Sequence, residues 1–280
     1  MSPEFKPNTP EDNHESIDQT TIFKKDSEGY LLNITNKERI PPHWKEIIET
    51  VKEVGLETLG ENVISIYVSG SVARGVPDEK NSDLDMFAIV REPVPEEEQR
   101  NISETIQTRL GADIKKKVGF HMFPLTKILG DASSSRRQFL VKLLSMPIYG
   151  EDFRDMLPEF KANKETARIL CEDIAARIEK SKEQLRVIDD EEIIKLIGRK
   201  LMKKFIRQGF YPIMIDKEIY TSSSETASIL FAQAYPEKAE LMQKAYEICK
   251  EPTGDKEKIL AVVDALGPWL IEEAKKLQEK

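Results

Sequence analysis

The chain has 280 residues, of which 39% are hydrophobic, and this length suits two domains with cores of ordinary size. Its net charge of −8 argues against a broad electrostatic surface for nucleic acid, so bulk binding of DNA or RNA is not expected. The two cysteines, Cys171 and Cys249, both lie in helical patterns and indicate neither a disulfide framework nor a zinc site.

The first part of the chain is polar. Residues 1–38 predict a flexible arm with one short ordered patch, because apolar residues are few before Ile22 and the run Tyr30–Leu32. Two prolines then precede an amphipathic stretch from His43 to Leu59. This stretch predicts a helix that leads into the first strand.

A strand followed by a Gly-Ser turn comes next. Val63–Val68 is rich in β-branched and aromatic residues and predicts a buried strand. Gly70 lets the backbone bend and approach a ligand closely. Ser71 offers a hydroxyl and an N–H to a phosphate oxygen, and Arg74 can add a charge-assisted contact. An ordinary strand-to-helix turn with a serine cap has the same local sequence, so the turn alone leaves both interpretations open.

Two acids open the next strand, Asp83–Val90. Side chains alternate along a strand, so Asp83 and Asp85 share a face with Cα atoms about 6.6 Å apart. Such a pair suits Mg²⁺, which binds one or two carboxylates plus substrate phosphates. Alternatively, both acids are exposed and paired with Lys80 or Arg91. Their position at the head of an apolar strand argues against that, because buried charges need partners.

The turn and the acids together, within residues 60–125, resemble the DNA polymerase β-like nucleotidyltransferase superfamily. Within it, the chain is most similar to minimal nucleotidyltransferases and aminoglycoside adenylyltransferases. The resemblance implies a small mixed sheet flanked by helices, Mg²⁺ dependence, and transfer of a nucleoside monophosphate from an NTP to an acceptor hydroxyl. The residues we predict for nucleotide binding are Gly70, Ser71, Arg74 and Ser82, and those for metal binding and catalysis are Asp83 and Asp85.

The third carboxylate that this family carries on a later strand has no counterpart here. After a Pro/Glu-rich connection, Glu92–Gln99, and a helix predicted over Ile102–Leu110, the corresponding strand is Lys117–Phe123, which contains no acid. The acid is expected at Gly119 or at its same-face neighbour His121. His121 can act as a base near neutral pH, or it can pack against a polar partner within the strand.

The next elements complete an N-terminal domain. A helix is predicted over Arg136–Ser145, and Pro147–Glu151 resembles the strand and turn with which related domains end. We therefore predict an α/β (α+β) fold, with a nucleotidyltransferase domain over residues 39–155 and an all-α helical bundle over residues 156–280.

The helical bundle begins near Lys164 with one apolar face that continues to Leu185, and a second helix is predicted from Glu191 to about Gln208, ended by Phe210–Pro212. One side of this second helix is basic, with Lys195, Arg199, Lys203 and Arg207 on the face opposite the apolar stripe and Lys200 and Lys204 beside them. Such a side is either the solvated face of a surface helix or part of a cleft wall that neutralises a triphosphate. For the second case we assign Lys204 to the nucleotide.

A Ser/Thr-rich segment, Tyr220–Thr226, then resembles a helix start. Glu225 fits a capping box there, because a Ser or Thr precedes it by three or four residues. It is also our candidate, with His121, for a catalytic base. Pro236 breaks the next helix, and two further helices follow, the last with Trp269 in a core or an interface.

The function predicted from the sequence is Mg-dependent transfer of a nucleoside monophosphate, with ATP as the first choice of NTP. A cationic aminoglycoside-type antibiotic is the first choice of acceptor, since it suits an acidic chain, and antibiotic resistance is the expected role. An AMPylating enzyme acting on protein or tRNA, and a catalytically silent nucleotide-binding regulator, remain open, as does the oligomeric state. No signal peptide or membrane span is evident, so a cytoplasmic protein is expected.

Overall fold

The structure is a computed structural model, and it describes residues 17–78, 82–111, 118–130 and 132–279. The predicted α/β fold is confirmed, with a mixed sheet in the N-terminal part and helices in the C-terminal part. Lys80 and Lys117, which the sequence interpretation used, lie outside the described residues, as do residues 1–16 of the predicted arm.

The sheet has four strands, β1 (Val63–Ser69), β2 (Leu84–Val90), β3 (Val118–Pro124) and β4 (Ser145–Gly150). Their order is β3-β2-β1-β4, with β1 antiparallel to β2 and β4, and β2 parallel to β3. Asp85 pairs with Ser69 on one side and with Gly119 on the other. The end of β1 and the starts of β2 and β3 therefore meet at one end of the sheet.

The described residues form these α-helices: α1 (Pro42–Leu59), α2 (Gly70–Ala73), α3 (Glu96–Leu110), α4 (Ser135–Leu144), α5 (Lys164–Leu170), α6 (Ile174–Val187), α7 (Glu191–Lys217), α8 (Ser224–Ala234), α9 (Ala239–Lys250) and α10 (Lys256–Gln278). Among them, none combines the length and the apolar character needed to cross a lipid bilayer.

The two faces of the sheet bury different neighbours, because side chains alternate along each strand. One face packs on α1 and α3 and includes Ile66 and Val68. The other face includes Tyr67 and Phe87, whose stacked rings lie 5.2 Å apart, and packs on α4. Asp85 is two residues before Phe87 and shares its face. The acids therefore lie on the face that α4 and the helical half cover.

The helical half packs around α7, which contacts α6, α8, α9 and α10. The described part of the N-terminal arm joins the same core through Phe23 and Leu31. Its backbone is tied to both halves, since Phe23 N donates to Tyr220 O at 2.9 Å and Asn36 N donates to Ala73 O at 2.9 Å. The segment therefore connects the helical bundle to the turn after β1.

In the C-terminal half, two helix predictions were wrong. The helix predicted to end at Phe210–Pro212 continues as α7 to Lys217 with Pro212 inside it. Proline removes one helical hydrogen bond, which costs roughly 3 kcal/mol, but burial of Phe210, Ile213 and Met214 on either side favours the continuous helix. The apolar face predicted as one helix to Leu185 is divided between α5 and α6, because the Asp173 side chain accepts a hydrogen bond from Ala176 N and caps a new helix.

Candidate active site between the sheet and the helices

The Gly-Ser turn leaves space directly above an acid. Gly70 begins α2 with φ of 77°, a left-handed conformation that favours glycine. A Cβ at this position would lie 3.6 Å from Asp85 Oδ2. A side chain here would therefore fill the space over the carboxylate, which glycine keeps open for a ligand.

Serine hydroxyls tie this turn to the start of β2. Ser71 Oγ and Ser82 Oγ share a hydrogen bond of 2.9 Å, and Asp78 N donates to Ser82 Oγ at 2.8 Å. Ser69 Oγ donates to the backbone oxygen of Asp85 at 3.2 Å. Ser82, predicted to bind nucleotide, is buried beneath Ser71, so its hydroxyl positions the turn.

The two acids have different surroundings. Asp83 is half-exposed, and its Oδ2 lies 3.8 Å from Arg199 Nη1 of α7. Asp85 lies on the floor of the cleft. Its side chain is accessible to solvent within the cleft, but the walls of the cleft shield it from bulk water. This partial burial raises the pKa of Asp85, Lys203 acts in the opposite direction, and the charge of Asp83 raises it further. A bound cation would relieve both the burial and the repulsion.

A cavity of about 560 Å³ separates the sheet end from α7 and α8, and its size is usual for a ligand site. The sequence-predicted site residues that line it are Gly70, Ser71, Arg74, Ser82, Asp83, Asp85 and Glu225. Residues that are far apart in the sequence thus contribute to one cleft. The cleft also contains residues that the sequence did not single out, including Ser222, Tyr246 and Lys250.

Opposite the acids, α7 supplies three cations at four-residue spacing, Arg199, Lys203 and Arg207. Burial lowers the pKa of Lys203, and the neighbouring charge of Arg207 lowers it further. Burial also lowers the pKa of Arg74, on the turn side. Within the described part of the chain, no ion pair neutralises Arg74, Lys203 or Arg207. Unpaired cations facing two carboxylates suit a polyanion that arrives with a divalent metal.

Glu225 is the second residue of α8, and its side chain does not cap this helix. The N-cap is Ser223, whose side chain accepts a hydrogen bond from Thr226 N at 3.2 Å. The capping box considered for Glu225 therefore does not form, since it requires the glutamate at the third helical position. The carboxylate is exposed and lines the same cavity as Asp83 and Asp85.

His121 lies beside the acids on β3. A Cβ at Gly119 would lie 3.6 Å from His121 Nε2 and 3.7 Å from Asp85 Oδ1, so the imidazole is near the Asp85 carboxylate. Its ring faces Phe123 with the centroids 6.3 Å apart. It is exposed and does not line the main cavity. β3 thus offers Gly119, which pairs with Asp85, and His121, two residues further on, where the family has an acid.

Lys204 points away from this cleft. Its ammonium donates to Glu172, which also accepts from Arg136, and it is not among the residues that line the cavity. Its neighbour Lys203 occupies the place in the cleft that we predicted for Lys204. The signal was present in the sequence, because Lys203 and not Lys204 shares the four-residue spacing of Arg199 and Arg207.

The donors present fit magnesium. The described residues contain no group of three or more His, Cys, Asp or Glu side chains that could hold a metal ion by themselves. Asp85 of β2 and Asp83, which directly precedes this strand, match the one or two carboxylates that Mg²⁺ takes when substrate phosphates complete its shell. The site therefore suits a metal that arrives with a nucleotide.

Comparison with known proteins defines the class. Residues 45–138 match the family model for a nucleotidyltransferase domain. The chain therefore carries a nucleotidyltransferase domain, which confirms the predicted superfamily and the predicted class of enzyme. No match was found among curated protein sequences.

A solved structure shares the fold beyond that domain. Spectinomycin adenyltransferase AAD(9) from Enterococcus faecialis, solved with ATP and spectinomycin, superposes with a TM-score of 0.55 at 16% sequence identity. The match covers 82% of this chain and 99% of that chain. The likeness therefore includes the helical half as well as the sheet.

Proposed function

We propose that the protein transfers a nucleoside monophosphate, AMP first, from Mg·NTP to a hydroxyl of a small-molecule acceptor. The observation that carries the proposal is the single cleft in which the Gly-Ser turn, two aspartates and unpaired cations face one another. The fold neighbour is an adenyltransferase solved with ATP and a small acceptor, which supports the same kind of reaction.

On the nucleotide side, Ser71 and the backbone at Gly70 orient the triphosphate at the turn. Arg74, Lys203 and Arg207 neutralise its charge and remain beside the leaving pyrophosphate. Asp83 and Asp85 would hold Mg²⁺, which would supply positive charge to stabilise the charge that develops on the phosphates.

On the acceptor side, the hydroxyl oxygen forms a bond to the α-phosphorus while the bond from that phosphorus to the bridging oxygen breaks. Pyrophosphate leaves, and the hydroxyl proton passes to a base. Glu225 is the proposed base, since its carboxylate is not used in a helix cap and lines the cleft. His121, beside Asp85, is the second candidate.

For the acceptor, an aminoglycoside-type antibiotic is the choice that the family resemblance suggests first. The fold neighbour takes spectinomycin, which supports a resistance role. A small acceptor also suits the enclosed cleft better than a protein or a tRNA end, and the acidic chain offers no broad surface for RNA.

The test is a pyrophosphate-release screen with all four NTPs, with and without EDTA, against antibiotics and simple hydroxyl compounds. Intact mass would monitor modification of the protein itself. Mg-dependent release that needs a small acceptor is expected. Tight Mg·ATP binding without any release would contradict transfer and favour a regulator, and a mass increase of the chain would favour a protein acceptor.

A further inference from the structure

A second cavity, of about 460 Å³, adjoins the cleft. Both cavities are lined by Leu140, Leu144, Arg207 and the segment Ser222–Ser224, so they are compartments of one space. On the sheet side, the second cavity reaches Phe123 of β3, two residues beyond His121. It therefore lies on the β3 side of the acids, away from the Gly-Ser turn.

The charge of this second cavity is positive. Its described lining contains three arginines, Arg136, Arg137 and Arg207, and no carboxylate. Arg136 is neutralised by Glu172, which lies behind it. Arg137 makes no ion pair within the described part of the chain, and its guanidinium lies over the Phe123 ring, 5.4 Å from the centroid. Arg137 thus remains available to a ligand when Arg207, which lines both cavities, contacts the triphosphate.

Hydroxyl groups lie beside these arginines. Tyr220, in the lining of the second cavity, is almost fully buried, and burial raises the pKa of its hydroxyl, so it stays a proton donor. The Ser222–Ser224 hydroxyls line the same wall, and Phe123 supplies an aromatic plane. Arginine forks with nearby hydroxyls are the donor set that recognises phosphate or carboxylate groups.

We propose that this second cavity is the acceptor subsite and takes a hydroxyl compound that carries an anionic group, with Arg137 as the anchoring residue. The inference rests on the proposed function and replaces the cationic antibiotic as the first acceptor class. A polycationic acceptor would face the guanidinium of Arg137 there, with no described carboxylate in the lining to receive it.

The geometry also directs the acceptor toward the acids. Phe123 lies under Arg137, and the lining that both cavities share leads from there to the cleft that contains Asp83 and Asp85. An acceptor anchored at Arg137 therefore has its free hydroxyl on the side of the two aspartates. In the transfer, that hydroxyl oxygen bonds to the α-phosphorus, pyrophosphate leaves and the proton passes to Glu225, while the anionic group is unchanged.

The test measures binding, so that it does not depend on turnover. The protein is saturated with an Mg·ATP analogue whose α,β-bridging oxygen is replaced by methylene, and it is titrated calorimetrically with matched probes. These are glucose 6-phosphate, glucuronate, glucose, glucosamine, inorganic phosphate and spectinomycin. We expect the anionic sugars to bind at least about tenfold more tightly than glucose or glucosamine, as one charge-assisted contact supplies.

Two variants make the test specific. Arg137→Gln should remove the preference for anionic probes. Arg109→Gln should keep it, because Arg109 is an exposed arginine of α3, on the opposite face of the sheet, paired with Glu57. Thermal unfolding of both variants checks that each is folded. The proposal is overturned if glucosamine or spectinomycin binds as tightly as glucose 6-phosphate, if no anionic probe binds, or if the preference survives Arg137→Gln.

The nucleotide titration separates this inference from the proposed function. Failure of the wild-type protein to bind the Mg·ATP analogue would refute the proposed function itself. Equal nucleotide affinity in wild type and Arg137→Gln, together with no anion preference in the wild-type protein, would refute the acceptor class alone. Weakening of the nucleotide and of the probes to the same extent would make Arg137 part of the nucleotide wall and would also overturn the proposal.

Discussion

The two walls of the cleft place their charges in different ways. On the sheet wall, the turn and the two aspartates come from one continuous segment, Val68–Val90, and the alternation of β2 fixes which way the acids face. On the helical wall, the cations come from α7, where the four-residue spacing groups them on one face and the packing of the helix turns that face to the cleft. Local sequence thus specifies the carboxylates, while tertiary structure selects their counter-charges.

The largest effect should come from removing the charge of the sheet wall. Asp83→Asn with Asp85→Asn keeps the shape of both side chains and removes the metal ligands. We expect kcat/KM for pyrophosphate release to fall by at least about 10³-fold. Glu57→Gln, on the exposed side of α1, is the matched control and should retain activity. Mg-dependent transfer at the wild-type rate in the double variant would refute the proposed role of these acids.

The base should give the next largest effect. Glu225→Gln is expected to lower kcat by roughly 10²- to 10³-fold with little change in KM for ATP, because a base acts on the acceptor proton. His121→Asn is the companion variant, measured in the same assay. If its kcat falls and that of Glu225→Gln does not, the base is the histidine on β3.

The helical wall can be tested with two neighbouring lysines. Lys203→Met should weaken Mg·ATP binding by roughly 10- to 100-fold, the range for loss of one hydrogen bond to a charged group. Lys204→Met makes the same change one residue later, where the ammonium pairs with Glu172, and should leave nucleotide affinity nearly unchanged. Calorimetric titration with Mg·ATP measures both. Equal losses of Mg·ATP affinity in the two variants would mean that the nucleotide is held by the net charge of α7 and not by the Lys203 side chain in the cleft.

These lysines also show what the sequence could and could not specify. Gly70, Asp83 and Asp85 were identifiable because their geometry follows from one turn and one strand. The assignment of Lys204 followed from charge alone, whereas burial of Met202, Phe205 and Ile206 sets the rotation of α7 and directs Lys203 inward.

The role of Glu225 depends on which residue caps α8. The sequence allowed both a cap and a base for this residue, and the cap at Ser223 decides between them by leaving the glutamate carboxylate free. The arginines at 136 and 137 gave no sequence signal, because their cavity forms only where α4 meets α7 and the 220–224 segment.

The smallest effect concerns Glu172, which connects α4, the helix that packs on the sheet, to α7 of the helical wall. Glu172 accepts hydrogen bonds from Arg136 of α4 and Lys204 of α7. Burial tends to raise the pKa of Glu172, but these two cations outweigh burial and hold it below the usual value. Burial also lowers the pKa of Lys204 despite the pairing, so in the acid range the glutamate is the group that changes charge.

Glu172→Gln should therefore lower the free energy of unfolding at neutral pH by about 1–3 kcal/mol, the range for a broken charge-assisted contact. A carboxyl whose pKa is depressed by folding stabilises the protein above its unfolded-state pKa, and that stability is lost as the pH falls through the folded-state pKa. Urea unfolding at pH 7 and near pH 4 should show the gap between wild type and variant narrowing. Glu240→Gln, which removes an exposed pair with Lys244, should give no measurable gap at either pH. A gap that stays constant with pH would show that Glu172 acts through packing, and the two walls would then be joined by shape instead of charge.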